Sequence, residues 1–255
     1  MLTHRLIPCL LLSKGGLVKT TRFAKPKYVG DPINAVKIFN DKEADELMVL
    51  DIDASREGRG PDFGLIEELA GECFMPLCYG GGIRSADDAH TLFKLGVEKV
   101  AIQSAAIRDF SLIRKIADRA GEQAVVVSVD VKRNWLGKRV LLNASGAPTN
   151  KLDWRDFMQK AVAAGAGEVL INSVDRDGTM AGVDTDLIRE ASTLTDVPTI
   201  AIGGVGSLAD IRAATDAGAS AVAAGAYFVF QGLHRAVLIT YPSSSELRSV
   251  WGEDL

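Results

Sequence analysis

The chain of 255 residues sets 29 Lys and Arg against 33 Asp and Glu, a formal net charge of −4, and 47% of it is hydrophobic. That balance leaves no basic footprint for nucleic acid, and no apolar run reaches membrane-spanning length. The N-terminus lacks the apolar core and cleavage site of a signal peptide. The three cysteines, Cys9, Cys73 and Cys78, show no metal or redox spacing. The expectation is a cytoplasmic protein with no metal or cofactor, in which Cys9 and Cys78 are inert core thiols.

Leu6 to Leu12 is a nearly continuous apolar run, as expected of a strand buried on both faces of a parallel sheet. Ser13 to Gly30 reads as a long polar loop holding Lys14, Lys19, Arg22, Lys25 and Lys27. Loops of that length are functional lids or solvated segments; the cations suit an anionic substrate and equally a wet charge run. Asp31-Pro32 supplies an N-cap and N1 proline for the first helix.

Strand Glu46–Asp51, helix Phe63–Ala70 and strand Met75–Cys78 follow, and then the turn Tyr79-Gly80-Gly81-Gly82-Ile83-Arg84-Ser85. Its glycines bare backbone amides at a helix entrance, a natural seat for phosphate, although glycines also mark ordinary βα turns. Ser85 with Asp88 reads as a capping box. Helix Ala86–Leu95, strand Lys99–Ile102, a helix capped by Asp109 and reaching Ala120, and strand Ala124–Val129 continue the alternation. Trp135–Asn150 resembles a small hairpin insertion with Gly137 and Gly146 at its bends. Helix Trp154–Ala164, strand Glu168–Ser173, strand Pro198–Ile202, helix Leu208–Ala217 and strand Ala221–Ala224 complete the pattern. The tail after Tyr241 is serine-rich and poorly patterned.

The glycine turn is written twice. Gly203-Gly204-Val205-Gly206-Ser207, with Asp210 as the second capping acid, recurs 122 positions later. The same offset aligns Ala44-Asp45-Glu46-Leu47 with Ala166-Gly167-Glu168-Val169, Asp53 with Asp175 and Leu95-Gly96-Val97 with Ala217-Gly218-Ala219. A constant offset over about sixty residues signals an internal repeat. Two halves of four βα units, about 1–120 and 121–255, make eight, and the length suits a single (β/α)8 barrel domain.

Such barrels carry their chemistry at the C-terminal ends of the strands. Those positions hold Asp51, Gly81, Gly82, Gln103, Ser104, Asp130, Asp177, Gly178, Thr179, Gly203, Gly204, Ala224 and Gly225. Two glycine turns, each followed by a small-residue turn, suit a ligand with a phosphate at each end. Arg5, Glu46, Lys99 and Glu168 stand at the starts of strands, four charges at the bottom of one barrel. They either close the floor as ion pairs or gate a passage along the axis.

With these residues in view, the chain resembles the HisF family, the cyclase subunit of imidazole glycerol phosphate synthase. The likeness covers nearly all of it, weakening at Asn143–Ala147 and after Phe230. It is carried by Arg5 to Leu10, Ala44 to Leu47, Leu50-Asp51-Ile52, Gly80 to Ser85, Ser104-Ala105-Ala106, Asp175 to Thr179 and Gly203-Gly204. The resemblance implies a HisH-like glutaminase on the barrel floor, whose ammonia crosses the barrel to a doubly phosphorylated ribulosyl substrate. It implies that Arg5, Glu46, Lys99 and Glu168 are the ammonia gate, and that Glu98 and Gln123 lie at the glutaminase interface. Lys19 is placed on a mobile lid loop, as a catalytic residue beside Asp130.

The chain also departs from the family's pattern. HisF cyclases use two aspartates as acid and base, and where the strand-1 aspartate belongs this chain has Leu11. Gln103 stands in place of an asparagine and Asn172 in place of a threonine. Leucine transfers no proton, whereas the floor matches throughout. That combination resembles a paralogue branch associated with glycosyl amidation in surface-polysaccharide synthesis, in which ammonia passes to a separate sugar amidotransferase. The alternatives are an active cyclase of histidine biosynthesis using another acid such as Asp51, a non-catalytic binding scaffold, and a phosphosugar isomerase-like barrel.

Overall fold

The computed structural model describes residues 4–143, 146–149, 152–232 and 234–252. Strand β1 (Arg5–Ser13) leads through β2 (Gly16–Thr21) and β3 (Ala24–Gly30) into α1 (Pro32–Asp41). Next come β4 (Leu47–Asp51), α2 (Phe63–Glu72), β5 (Leu77–Gly80), α3 (Ala86–Lys94), β6 (Lys99–Ile102), a short α4 (Ser104–Arg108) and α5 (Ser111–Ala120). The chain continues through β7 (Val125–Arg133), β8 (Arg139–Leu141), α6 (Trp154–Ala163), β9 (Glu168–Ser173), α7 (Thr185–Thr193), β10 (Thr199–Ile202) and α8 (Leu208–Asp216). It ends with β11 (Ala221–Ala224), α9 (Ala226–Val229), β12 (Phe230–Gln231), β13 (Ala236–Val237) and α10 (Ser244–Trp251).

Strands β1, β4, β5, β6, β7, β9, β10 and β11 pair in that order, all parallel, and β11 pairs back onto β1 (Arg5 opposite Ala221) to close an eight-stranded barrel. Two cores follow from the period-2 alternation of strands. Outward residues such as Leu6, Leu10, Leu47 and Tyr79 join the helices in one large apolar layer. Inward residues form a second cluster along the axis, including Ile7, Cys9, Met48, Cys78, Val126, Leu170 and Ile200, with Leu11, Leu50 and Ile202 partly buried above them. Cys9 and Cys78 are buried there, and burial raises both thiol pKa values, Cys9 to about 11. Among the described residues no helix is long and apolar enough to cross a membrane.

One expectation needs correction, and two helices go unmarked by the sequence pattern. Ser13–Gly30 is not a loop: β2 and β3 form an antiparallel ribbon on the end of β1, with Leu11 opposite Val18 and Leu12 opposite Leu17. Leu17 and Val18, on opposite faces of β2, are both buried, so the ribbon packs instead of trailing in solvent. The tail is ordered into α10, which starts at a capping box between Ser243 and Glu246 and ends at left-handed Gly252. Helix α7, capped by Asp184, buries Leu187, Ile188 and Ala191 and was not expected as a helix. In the hairpin region β8 pairs with β7, while residues 144, 145 and 150 of the expected insertion lie outside the described residues.

Candidate functional site

At the N-terminal end of the barrel, Arg5, Glu46, Lys99 and Glu168 meet from four strands. Arg5 reaches Glu46 at 2.5 Å and Glu168 at 2.9 Å, and Lys99 reaches the same two carboxylates at 2.9 and 3.1 Å. Each carboxylate therefore faces both cations, as charges removed from water require. Glu98 and Gln123 are exposed at this end, beside Lys99 and just before β7. Above the ring the axis is filled by Ile7, Met48, Val126 and Ile200, each fully buried; among the described residues this inner cluster holds no ionisable side chain but the thiols of Cys9 and Cys78.

The opposite end holds two adjoining cavities. One is lined by Asp51, Gly80, Gly81, Gln103, Ser104, Ser128, Asp130 and Asn172; the other by Lys19, Gly178, Gly203, Gly204, Ala224 and Gly225. Cys9, Leu11, Thr20, Asp177 and Ile202 line both and form the saddle between them. Thus most of the residues selected from the sequence converge here. Two do not: the Gly82 amide is taken by the Ser55 hydroxyl, and Thr179 lines a separate surface pocket with its hydroxyl donating to the Arg176 carbonyl.

The two glycine turns have one geometry. Gly81 (φ 121°) and Gly203 (φ 103°) both sit where a Cβ would stand 2.5 Å from the Asp51 carbonyl and 2.6 Å from the Ser173 carbonyl, respectively. Only glycine accepts both the angle and the approach. The following helices differ slightly in their caps. Ser85 and Asp88 exchange bonds at 3.0 Å in a full box, whereas Asp210 accepts from the Gly206 amide, one residue earlier than the box expected. No side chain caps α4 or α9, whose first turns face the cavities at Ser104 and beyond Gly225.

Asp130 is buried, and its carboxylate accepts from Gln103 Nε2 at 2.7 Å and Asn172 Nδ2 at 2.9 Å. Burial raises its pKa, and the bonds from Asn172, Gln103 and Ser128 pull against that shift. Gln103, Asn172 and, at 3.5 Å, the Ser128 hydroxyl therefore hold this carboxylate. Asp177 is pushed up to about 6 by burial, with Lys19 opposing. Lys19 itself is buried, its ammonium donating to the Cys9 carbonyl and lying against Gly225, and burial lowers its pKa. The expected mobile lid lysine is thus a strand residue, tied down because β2 is anchored over the mouth: the Arg22 amide donates to the Asp177 carbonyl at 3.0 Å and the Arg22 guanidinium to the Asp175 carbonyl. Asp51, the alternative acid, accepts from the amides of Asp53 and Ala54 and faces Arg59 at 3.4 Å, so it caps its own turn.

Sequence reading missed Thr20, Phe23, Ser55 and Ser128 as cavity residues. Ser128 was legible, since period-2 alternation puts it on the same face as Asp130. The others lie on the ribbon or on the turn after β4, where no periodic pattern points inward.

Comparison with known proteins fits this arrangement. The family described as histidine biosynthesis protein matches residues 5–234. The protein provisionally named imidazole glycerol phosphate synthase subunit hisF2 of Pseudomonas aeruginosa is 51% identical over 97% of this chain and 99% of its own length. A similarly named HisF subunit of Leptospira interrogans is 45% identical over 98% of this chain and all of its own. The hisF3 subunit of Vibrio vulnificus, also provisionally named, is 47% identical over 96% of this chain and 95% of its own.

Proposed function

The chain belongs to the histidine biosynthesis protein family, in its HisF-like paralogue branch, and from that premise we propose that it delivers ammonia within a glutamine amidotransferase complex. In this reading a HisH-like glutaminase sits on the floor, ammonia passes the ring of Arg5, Glu46, Lys99 and Glu168, and it leaves through the mouth. The observation that carries the reading is a complete charge ring at one end of the axis together with Leu11 at the other. Leu11 lies in the mouth between the two cavities, and the family resemblance implies an acid–base aspartate in its place in a cyclase.

The residues between ring and mouth suit ammonia as the cargo. A lining of Ile7, Cys9, Met48, Ala101, Val126 and Leu170 accepts a neutral molecule and repels ammonium. Because that lining is packed, transit requires brief side-chain excursions; unbranched Met48 is suited to them. Gly81, Ser104, Gly203 and Gly225 hold an anionic ligand with two phosphates, Lys19 and backbone amides supplying the positive field, and Asp130 faces its centre. The acceptor in this reading is a sugar amidotransferase of surface-polysaccharide synthesis, supported by the branch the sequence resembles. Here the chain supplies little cyclase activity, since losing one acid–base partner removes about 10²–10⁴-fold in rate.

The test is single-turnover conversion of the phosphoribulosyl substrate with free ammonia, run beside glutamine hydrolysis by the complex with its glutaminase. Hydrolysis with conversion at least about 10²-fold below that of a histidine-pathway HisF supports the reading. Conversion at a normal HisF rate overturns it. One observation favours a second reading, an active cyclase: Asp177, whose carboxyl is pushed up to about 6 by desolvation, lines both cavities and is a candidate for the missing acid. Complementation of a cyclase-deficient strain, abolished by Asp177→Asn, would establish that alternative.

A further inference from the structure

Strand β7 does not stop at the end of the barrel. Beyond Asp130 it runs on through Val131, Lys132 and Arg133 and pairs with β8, Lys132 opposite Val140 and Arg133 opposite Arg139. The hairpin therefore rises from the mouth, and its base is bonded to the Asp130 site. The Leu142 amide donates to the Asp130 carbonyl at 2.8 Å, and Gln103 Nε2 donates to the Asp130 carboxylate at 2.7 Å and to the Leu142 carbonyl at 3.3 Å. At the tip, Trp135 and Leu136 are 89% and 68% exposed. The turn beneath fixes them. Asn134 Oδ1 accepts from the amides of Leu136 and Lys138 at 3.0 and 2.9 Å, and the Asn134 amide donates to the Lys138 carbonyl at 2.8 Å. Gly137 closes the turn at a left-handed φ of 77°. An aromatic side chain on a turn braced in this way loses little backbone freedom when a partner covers it, and pre-organised anchors of that kind dominate interface energetics.

The charge of the hairpin defines the surface that would cover it. Residues 131–141 carry Lys132, Arg133, Lys138 and Arg139 and no acid. Arg133 and Arg139 face Asp184, and Arg139 also faces Glu190. Lys132 and Lys138 are exposed, and among the described residues neither forms an ion pair. Two unmatched cations flanking two apolar side chains complement an apolar cleft with an acidic rim.

We propose that Trp135 and Leu136 anchor the ammonia-accepting enzyme over the mouth, and that this enzyme offers them an apolar cleft with carboxylates for Lys132 and Lys138. The inference rests on the function proposed above, in which ammonia leaves through the mouth to a sugar amidotransferase. An enzyme taking ammonia there has to cover the rim from which the hairpin rises.

The experiment titrates the complex of this chain and its HisH-like glutaminase with the sugar amidotransferase of the same organism, by calorimetry. It compares wild type, Trp135→Ser, Trp135→Phe and the pair Lys132→Glu with Lys138→Glu, and follows thermal unfolding and glutaminase binding for each. Trp135→Ser should raise the Kd for the amidotransferase at least about tenfold, with unfolding and glutaminase binding unchanged because the indole is exposed and far from the floor. Trp135→Phe should recover part of that loss, and the charge reversal should weaken binding most at low salt. A Trp135→Ser complex binding within about twofold of wild type overturns the anchor while leaving the proposed function intact. Charge reversal without effect at low salt overturns the acidic rim. A wild-type complex that binds no amidotransferase overturns both the anchor and the proposed acceptor. A wild-type dimer in sedimentation that Trp135→Ser abolishes assigns the tip to a second copy of this chain and also overturns the anchor.

Discussion

The two ends of the barrel handle charge in opposite ways. At the floor, Glu46 and Glu168 each face Arg5 and Lys99, so the two negative and two positive charges are paired within the ring, although Glu46 Oε1 is buried without a hydrogen-bond partner. At the mouth, Asp130 is held by neutral amides and Asp177 by the Thr20 hydroxyl and the Phe23 amide, and burial pushes both carboxyls up, with the nearby charge of Lys19 opposing it at Asp177. Matched charges make a closed structural unit. Incompletely matched ones leave a site whose electrostatics a bound molecule can complete.

The mouth offers the largest expected effect. Leu11→Asp should raise single-turnover cyclase activity by about 10²–10⁴-fold if one missing proton-transfer group is the only deficit; no gain would show that the amide pair on Asp130 has also taken it out of service. At the floor, Glu168→Ala should cost about 3–5 kcal/mol in urea unfolding, because Arg5 and Lys99 lose a shared partner. A loss below about 1 kcal/mol would put the ring among ordinary surface pairs.

The third effect depends on pH. The folded-state pKa of Asp177, near 6, lies above the ordinary carboxylate value, so the folded chain holds the proton more tightly than the unfolded one. Its contribution is fully present below about pH 4 and is lost as pH rises through 6. Asp177→Asn should flatten that decline, by about 1–3 kcal/mol across the window, in melting followed from pH 4 to 7. An unchanged profile would mean that Asp177 is better matched than the mouth's burial implies. Smallest is the cap: Ser85→Ala should cost about 1 kcal/mol and weaken inorganic phosphate binding at the first glycine turn only slightly, since the backbone amides remain.

The barrel was legible because buried parallel strands write continuous apolar runs and because the glycine turns recur at a fixed offset. The ring was legible because charges at strand starts stand out against such runs. What escaped were features fixed by distant contacts. Lys19 reads as one of several loop cations, and only the docking of β2 against the Asp175–Thr179 segment buries it. Helix α7 is short and its apolar positions, Leu187, Ile188 and Ala191, are few. The Ser243–Glu246 box before α10 is followed by little hydrophobic patterning, so the serine-rich stretch does not announce a helix.

The tail is laced back to the start of the chain. The Tyr241 hydroxyl donates to the Leu6 carbonyl at 2.9 Å and lies 3.2 Å from the Asp45 carboxylate, which itself accepts from the Leu6 amide. Arg5 and Glu46 are the immediate neighbours of that knot. A purification tag or fluorophore added downstream of Tyr241 would therefore pull on the ring's own hinges, and assays of glutaminase assembly are safer with labels carried at the mouth, on the tip around Trp135.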